Sequence, residues 1–302
     1  MRRVGVLIST RKDDALGQAH ADLLRREFSK LGWVEDGNIS FDFRWIGGDA
    51  VRAKAAAAEL VSQKSDVIIA NSTLSLAAAR NATSTIPIVF VVVGDPIGQG
   101  FVSSLAHPDG NITGFSAFEF AVGGKWLELI KEIAPEVRRI AFIFNPQAGP
   151  YAEKFVQPIF TVASKFGADL AVSPIRDPAE IDRAVVAVSG EPNGGLIVNP
   201  DAFTTANRGL IISLAARYRL PAVYAYKFYA VDGGLLSYGH DDVEPWRRAP
   251  AYVDKILRGA SPADLPIQQP TKFELIINLK TAKALGLTIP PQLLDRADDL
   301  IE

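Results

Sequence analysis

The chain has 302 residues, 48% hydrophobic and 22% charged, which suits two packed cores and excludes a disordered chain. Lys and Arg (32) nearly balance Asp and Glu (34), and a net charge of -2 gives no general attraction to nucleic acid or anionic membrane. The absence of cysteine rules out disulfides, thiol catalysis and Cys-ligated metals, and no apolar run approaches the ~18 residues of a transmembrane helix. The only basic runs are pairs such as Arg25-Arg26 and Arg247-Arg248, which read as solvated helix faces. Met1-Arg2-Arg3 leads straight into Val4–Ile8, too short for a signal core. The start therefore fits a cytoplasmic protein or one whose leader has been removed.

A short apolar run, a polar turn and an amphipathic helix recur along the chain. Val4–Ile8 is the first strand. Asp13 and Asp14 are cap candidates for a helix carrying Leu16, Ala19, Leu23 and Leu31 and stopping at Gly32. Ile39–Phe43 alternates like a strand, and Ala53–Val61 is an alanine-rich helix. Val67–Ala70 and Ile88–Val93 are strands, with helix Leu74–Ala82 between them. Continuous apolar runs of this kind mark strands covered on both faces, hence parallel sheets. The cycle restarts after Thr113–Ser116. Helices are predicted at Glu119–Ile133, Ala152–Phe166, Pro178–Val188 and Thr204–Tyr218. The strands between and after them are Ile140–Phe144, Leu170–Ile175, Leu196–Val198 and Ala222–Ala225. Gly233-Gly234 precedes strand Leu235–Tyr238, and a helix spans Asp242–Leu257. Pro262, Pro266 and Pro270 punctuate a linker before strand Phe273–Leu279 and terminal helices. Two α/β sets of similar size, with a tail that can return to the first, make a two-lobed clamp.

Ligands of open parallel sheets bind beyond the carboxyl ends of the strands. Those ends are Ser9-Thr10, Asn71-Ser72-Thr73, Gly94-Asp95, Asn145, Asn199 with Asp201, and Tyr224 with Tyr226. Several stand before a helix, whose free N–H groups and positive end suit a carboxylate; Ser72 and Thr73 could add hydroxyl donors. Each taken singly also reads as an ordinary cap or turn. Asp201 is the candidate partner for a ligand ammonium, with Asp95 either a second acid or a turn residue before Pro96. Tyr226, Tyr238 and Phe115 are candidates to enclose a side chain, and Phe118 lies with Phe115 near the presumed hinge. No metal site and no cofactor are expected.

Enzyme signatures are missing. There is no G-x-G-x-x-G after the first strand, no Walker loop, no G-x-S-x-G elbow and no H-E-x-x-H. The glycine-rich Gly94–Gly100 has the wrong spacing, and Pro96 removes an N–H. His20, His107 and His240 are scattered, so catalysis has no visible agent.

Several blocks resemble a known family. They are Ala82–Phe90, Gly94-Asp95-Pro96, Gly110–Ser116, Leu220–Tyr224, Gly233–Gly239, Tyr252–Gly259 and Leu265–Ala282. They look like the ABC transporter substrate-binding proteins of the type I periplasmic-binding fold that include tryptophan- and tyrosine-binding lipoproteins. The resemblance implies two Rossmann-like lobes with three hinge crossovers. The expected lobes are residues 1–117 plus 235–267 and 118–234 plus 268–302, with a ligand cleft between them. It also implies an exported protein, periplasmic or lipid-anchored outside the inner membrane with its leader removed, delivering an aromatic or branched amino acid to a permease; a clamp that must open is expected to be a monomer. Competing readings are a sugar, nucleoside or other small carboxylate as ligand, and a cytoplasmic sensing module. A repressor of this fold would need an N-terminal helix-turn-helix, for which a strand at Val4 leaves no room.

Overall fold

In the computed structural model, residues 1–117, 119–190 and 193–302 are described; Phe118 lies outside them. In chain order the first elements are β1 (Arg2–Ile8), α1 (Ala15–Lys30), β2 (Ile39–Trp45), α2 (Ala50–Ser62), β3 (Val67–Asn71), α3 (Thr73–Ala82), β4 (Ile88–Val93) and β5 (Ile112–Ser116). Then follow α4 (Val122–Ile133), β6 (Arg139–Phe144), α5 (Glu153–Lys165), β7 (Asp169–Pro174), α6 (Pro178–Ser189) and β8 (Gly194–Val198). Next come α7 (Ala202–Ala206), α8 (Arg208–Arg217), β9 (Ala222–Tyr224), α9 (Lys227–Val231) and β10 (Leu236–His240). The chain ends with α10 (Glu244–Leu257), a 3-10 turn, β11 (Phe273–Asn278), α11 (Leu279–Leu285), α12 (Pro291–Leu294) and β12 (Asp299–Ile301).

Two compact units result. One is Met1–Phe118 with Asp242–Pro270, the other Glu119–Asp241 with Thr271–Glu302, so the chain passes between them three times. The first contains a five-stranded parallel sheet ordered β2-β1-β3-β4-β5. The second contains a seven-stranded sheet ordered β12-β11-β10-β9-β8-β6-β7, in which β10 and β11 are antiparallel. This is the α/β arrangement expected.

In unit 1 the sheet is covered on one face by α1 and α10. Val4, Val6 and Ile8 meet Leu24, Phe28, Trp246 and Val253 in one apolar cluster. Asp14 starts α1 by accepting from Leu16 N, and Asp49 starts α2 by accepting from Arg52 N. The returning segment adds to the far edge. Thr113 Oγ1 donates to the Leu265 carbonyl (2.6 Å), and Ser116 N donates to the Gln268 carbonyl (2.8 Å). In unit 2, Trp126 of α4 packs on Phe155 of α5 with ring centroids 4.9 Å apart, and its indole donates to the Tyr238 carbonyl.

Several boundaries differ from the sequence expectations. The strand expected at 235–238 in the first lobe lies in the second sheet. Leu236 pairs with both Val223 and Ile277, so the chain leaves unit 2 only after Asp241 and returns to it at Thr271. Two consecutive short helices replace the single one expected over 204–218. Asn207 leaves helical geometry (φ -110, ψ 16) and its side chain turns back to the Phe203 carbonyl. The helix expected from Glu119 begins at Val122. β12 stands where only helix was expected; three residues are too few for a legible period.

Candidate functional site

The carboxyl ends of β1, β3 and β4 are tied together by side chains on unit 1. Ser9 donates to Asn71 Oδ1 through both its N–H (3.1 Å) and its hydroxyl (2.6 Å). Gly94 N donates to Thr73 Oγ1 (3.1 Å). Asn71 thus uses its oxygen inside the protein, and among the described residues its Nδ2 donates no hydrogen bond. Directly after it, α3 begins. Leu76 N donates to the Ser72 carbonyl, and Ser75 N reaches Ser72 Oγ only at 3.4 Å. Among the described residues the Thr73 and Leu74 N–H groups have no protein partner, which leaves a positive, donor-rich helix end on this rim.

The backbone around this rim is strained. Ser72 (φ 86), Val92 (φ 58) and Asp95 (φ 51) all hold positive φ without being glycine. For a β-branched residue such as Val92 this is a genuine outlier. It sits at a bulge where the β4–β5 register shifts between Val91 and Val93, and the bulge re-aims the Gly94-Asp95 turn. Conformations of this kind cost about 1–3 kcal/mol each and concentrate at ligand sites. Asp95 itself is a turn residue: its Oδ1 accepts from Gly98 N (3.1 Å).

The second rim is a polar network centred on Asp201, in which Asn199 Oδ1 is buried without a hydrogen-bond partner among the described residues. Asp201 is the N-cap of α7 in a reciprocal capping box with Thr204. Its Oδ1 accepts from Thr204 N (2.9 Å), and its Oδ2 accepts from Asn145 N (2.9 Å) and Asn199 Nδ2 (3.0 Å). Asn145 in turn donates to the Ile175 carbonyl and accepts from Gln147 N and Ala148 N. Tyr151 Oη donates to the Pro200 carbonyl. Gly149 is required here, because a Cβ would lie 2.7 Å from Asn199 Nδ2 and 3.0 Å from Asp201 Cβ. Burial pushes the Asp201 carboxyl up to about 6, against the N–H donors that pull it down.

These positions revise three expectations. Asp201, the expected ammonium partner, has both oxygens occupied by protein N–H groups and holds the ends of β6 and β8 to α7. Tyr224 is core: it is 1% exposed, stacks on Tyr229 at 4.7 Å, and burial holds its hydroxyl above its ordinary pKa. Phe115 is core as well, packed on Tyr252 at 5.0 Å with the Arg248 guanidinium over its ring. Tyr226 stands at the unit 2 rim beside Phe228 and His240, and Tyr238 is half-buried in mid-strand, stacked on Phe273. The structure therefore brings Ser9, Thr10, Asn71, Ser72, Thr73, Gly94 and Asp95 to one rim, and Asn145, Asn199, Asp201 and Tyr226 to another.

Sequence reasoning did not single out Trp45, the last residue of β2. Trp45 ends the same alternation that Ile39–Phe43 shows, so extending it by one step finds the residue. Among the described residues no group of three or more His, Cys, Asp or Glu could hold a metal ion, and no helix is long and apolar enough to cross a membrane.

Two parallel-dominated sheets, three passages between units and ligand-type strand ends define a substrate-binding protein of the periplasmic-binding fold. The chain belongs to the family of ABC transporter substrate binding proteins, which matches residues 24–301. A tyrosine-binding protein of Clostridioides difficile is 29% identical over 256 residues, covering 85% of this chain and 73% of that protein. A crystal structure of a conserved domain protein from Vibrio cholerae superposes with a TM-score of 0.88 at 28% identity, covering 99% of both chains. An ABC domain from Streptococcus pneumonia in complex with L-Trp has the same fold, with a TM-score of 0.84 at 24% identity and 99% of both chains covered.

Proposed function

We propose that the chain captures a free amino acid with a large apolar side chain, aromatic before branched, and presents it to an ABC permease outside the inner membrane. The carrying observation is the unit 1 rim. The unpartnered Thr73 and Leu74 N–H groups, the Thr73 hydroxyl and Asn71 Nδ2 form a compact set of donors for a carboxylate. The tyrosine-binding relative supports an amino acid as the owner of that carboxylate. The chain passes three times from one unit to the other.

No bond is made or broken in this reading. The polar groups described on the two rims serve as hydrogen-bond donors and acceptors, caps and turns. Calorimetry of the intact protein against the twenty amino acids tests the reading. Binding of tyrosine, tryptophan, leucine or a close neighbour is expected. A panel with no heat and no thermal shift removes the amino-acid assignment. Asn71→Asp separates the rim from the rest: it keeps an oxygen for the two Ser9 donors and replaces the Nδ2 donor by a carboxylate oxygen, so affinity for a carboxylate is expected to fall at least about tenfold.

A further inference from the structure

All four tryptophans pack within their own unit, and they differ in exposure and in what their ring nitrogens meet. Trp33 Nε1 donates to Asp254 (2.8 Å), Trp126 Nε1 donates to the Tyr238 carbonyl (2.7 Å), and Trp246 is fully buried under the His20 ring at 4.5 Å. Trp45 also packs on the unit 1 core but is only half-buried; like that of Trp246, its Nε1 makes no hydrogen bond among the described residues. It ends the edge strand β2 opposite Ile8, so it stands beside Ser9-Thr10 on the unit 1 rim.

A row of rings leads to it. Alternation along β2 puts Phe41, Phe43 and Trp45 on the face toward α1. Phe28 lies 5.0 Å from Phe41, and the Arg25 guanidinium lies 4.6 Å above Phe43. Phe43 and Trp45 are stacked at 6.2 Å. The lower rings are thus covered by side chains of α1. Trp45 packs against the same core, but at its Cζ3 edge the helix presents Gly17, where a Cβ would lie 2.7 Å from Trp45 Cζ3 and overlap Thr10 Oγ1. The indole edge rests on bare backbone in the first turn of α1. At the same spot Thr10 Oγ1 is buried and has no hydrogen-bond partner among the described residues, an incomplete spot in the hydrogen bonding there.

We infer that Trp45 is the specificity-determining wall of the ligand site, with Gly17 setting its position, and that it favours a flat ring over an aliphatic side chain. This rests on the amino-acid reading of the same rim. A ring stacked on an indole gains contact beyond the area it buries, whereas a branched aliphatic chain gains the area alone. Trp45 is reached without disturbing the Ser9–Asn71 and Thr73–Gly94 bonds, so carboxylate capture and side-chain choice are separable.

The test is calorimetry of wild type, Trp45→Phe and Trp45→Leu with L-Trp, L-Tyr, L-Leu and L-Ala, joined to ligand-induced change in tryptophan emission with L-Tyr. Trp45→Leu is expected to lower the ratio of aromatic to aliphatic affinity roughly tenfold, the scale of one lost ring contact. Trp45→Phe should keep most of that ratio while losing the emission change. An unchanged ratio in Trp45→Leu, or an equal loss for every ligand, overturns the inference and leaves the amino-acid reading standing. A wild type that binds none of the four overturns both.

Discussion

Replacing Asp201 by alanine tests how the unit 2 rim is held. The substitution removes an N-cap, about 1 kcal/mol, and leaves the buried Asn145 N–H and Asn199 Nδ2 donors without their acceptor, about 1–3 kcal/mol each. Part of that loss is offset at neutral pH. Folding carries the carboxyl from an ordinary 3.8 to about 6, so at pH 7 the folded state carries an ionised group that burial disfavours, at a cost of about 3 kcal/mol. The folded pKa is the higher one, so the folded state binds the proton more tightly. Wild-type stability from this group is therefore fully present below about pH 4 and is lost as pH rises through 6. The alanine variant lacks this dependence. The gap in unfolding free energy between wild type and Asp201→Ala should widen on acidification, by about 2 kcal/mol between pH 7 and 4.5. Urea unfolding of both proteins across that range measures it. A gap that narrows toward acid would mean the N–H donors outweigh burial, and the reasoning would be wrong.

Tyr224→Phe removes a buried hydroxyl that has no partner; stability should hold or rise by up to about 1 kcal/mol, with ligand affinity unchanged. A clear loss of affinity in that variant would return Tyr224 to the site. Gly149→Ala forces a methyl against Asn199 Nδ2 and Asp201 Cβ and should cost about 1–3 kcal/mol in thermal or denaturant unfolding; a neutral result would show that the loop at 146–152 yields freely. Phe155→Ala opens the aromatic core of unit 2 beside Trp126 and should cost about 3–5 kcal/mol. Hydrogen exchange in α4 and α5 should rise with it, and unchanged exchange there would refute the placement of that core.

The sequence alone carried the repeating strand–helix pattern, the parallel sheets and the strand ends where polar residues gather. Continuous apolar runs such as Ile88–Val93 and caps such as Asp14 are local signals, set by burial on two faces and by free helix N–H groups. The positions of Ser9, Thr10, Asn71, Ser72 and Thr73 followed from those ends, because a parallel sheet brings all its carboxyl ends to one edge. What the sequence could not decide was which of those groups still had hydrogen bonds to give. Asp201 reads the same in sequence whether it faces a ligand or caps a helix; only the placement of Asn145, Asn199 and Thr204 around it showed both oxygens taken. Tyr224 and Phe115 were aromatic and near strand ends, yet Tyr229 and Tyr252 close over them from segments distant in the chain or on the next turn. Conversely, Trp45 stood out only once Gly17 was found beneath it. Local chemistry proposes a polar or aromatic group, but its availability depends on which distant atoms reach it first, and that is a property of the folded chain.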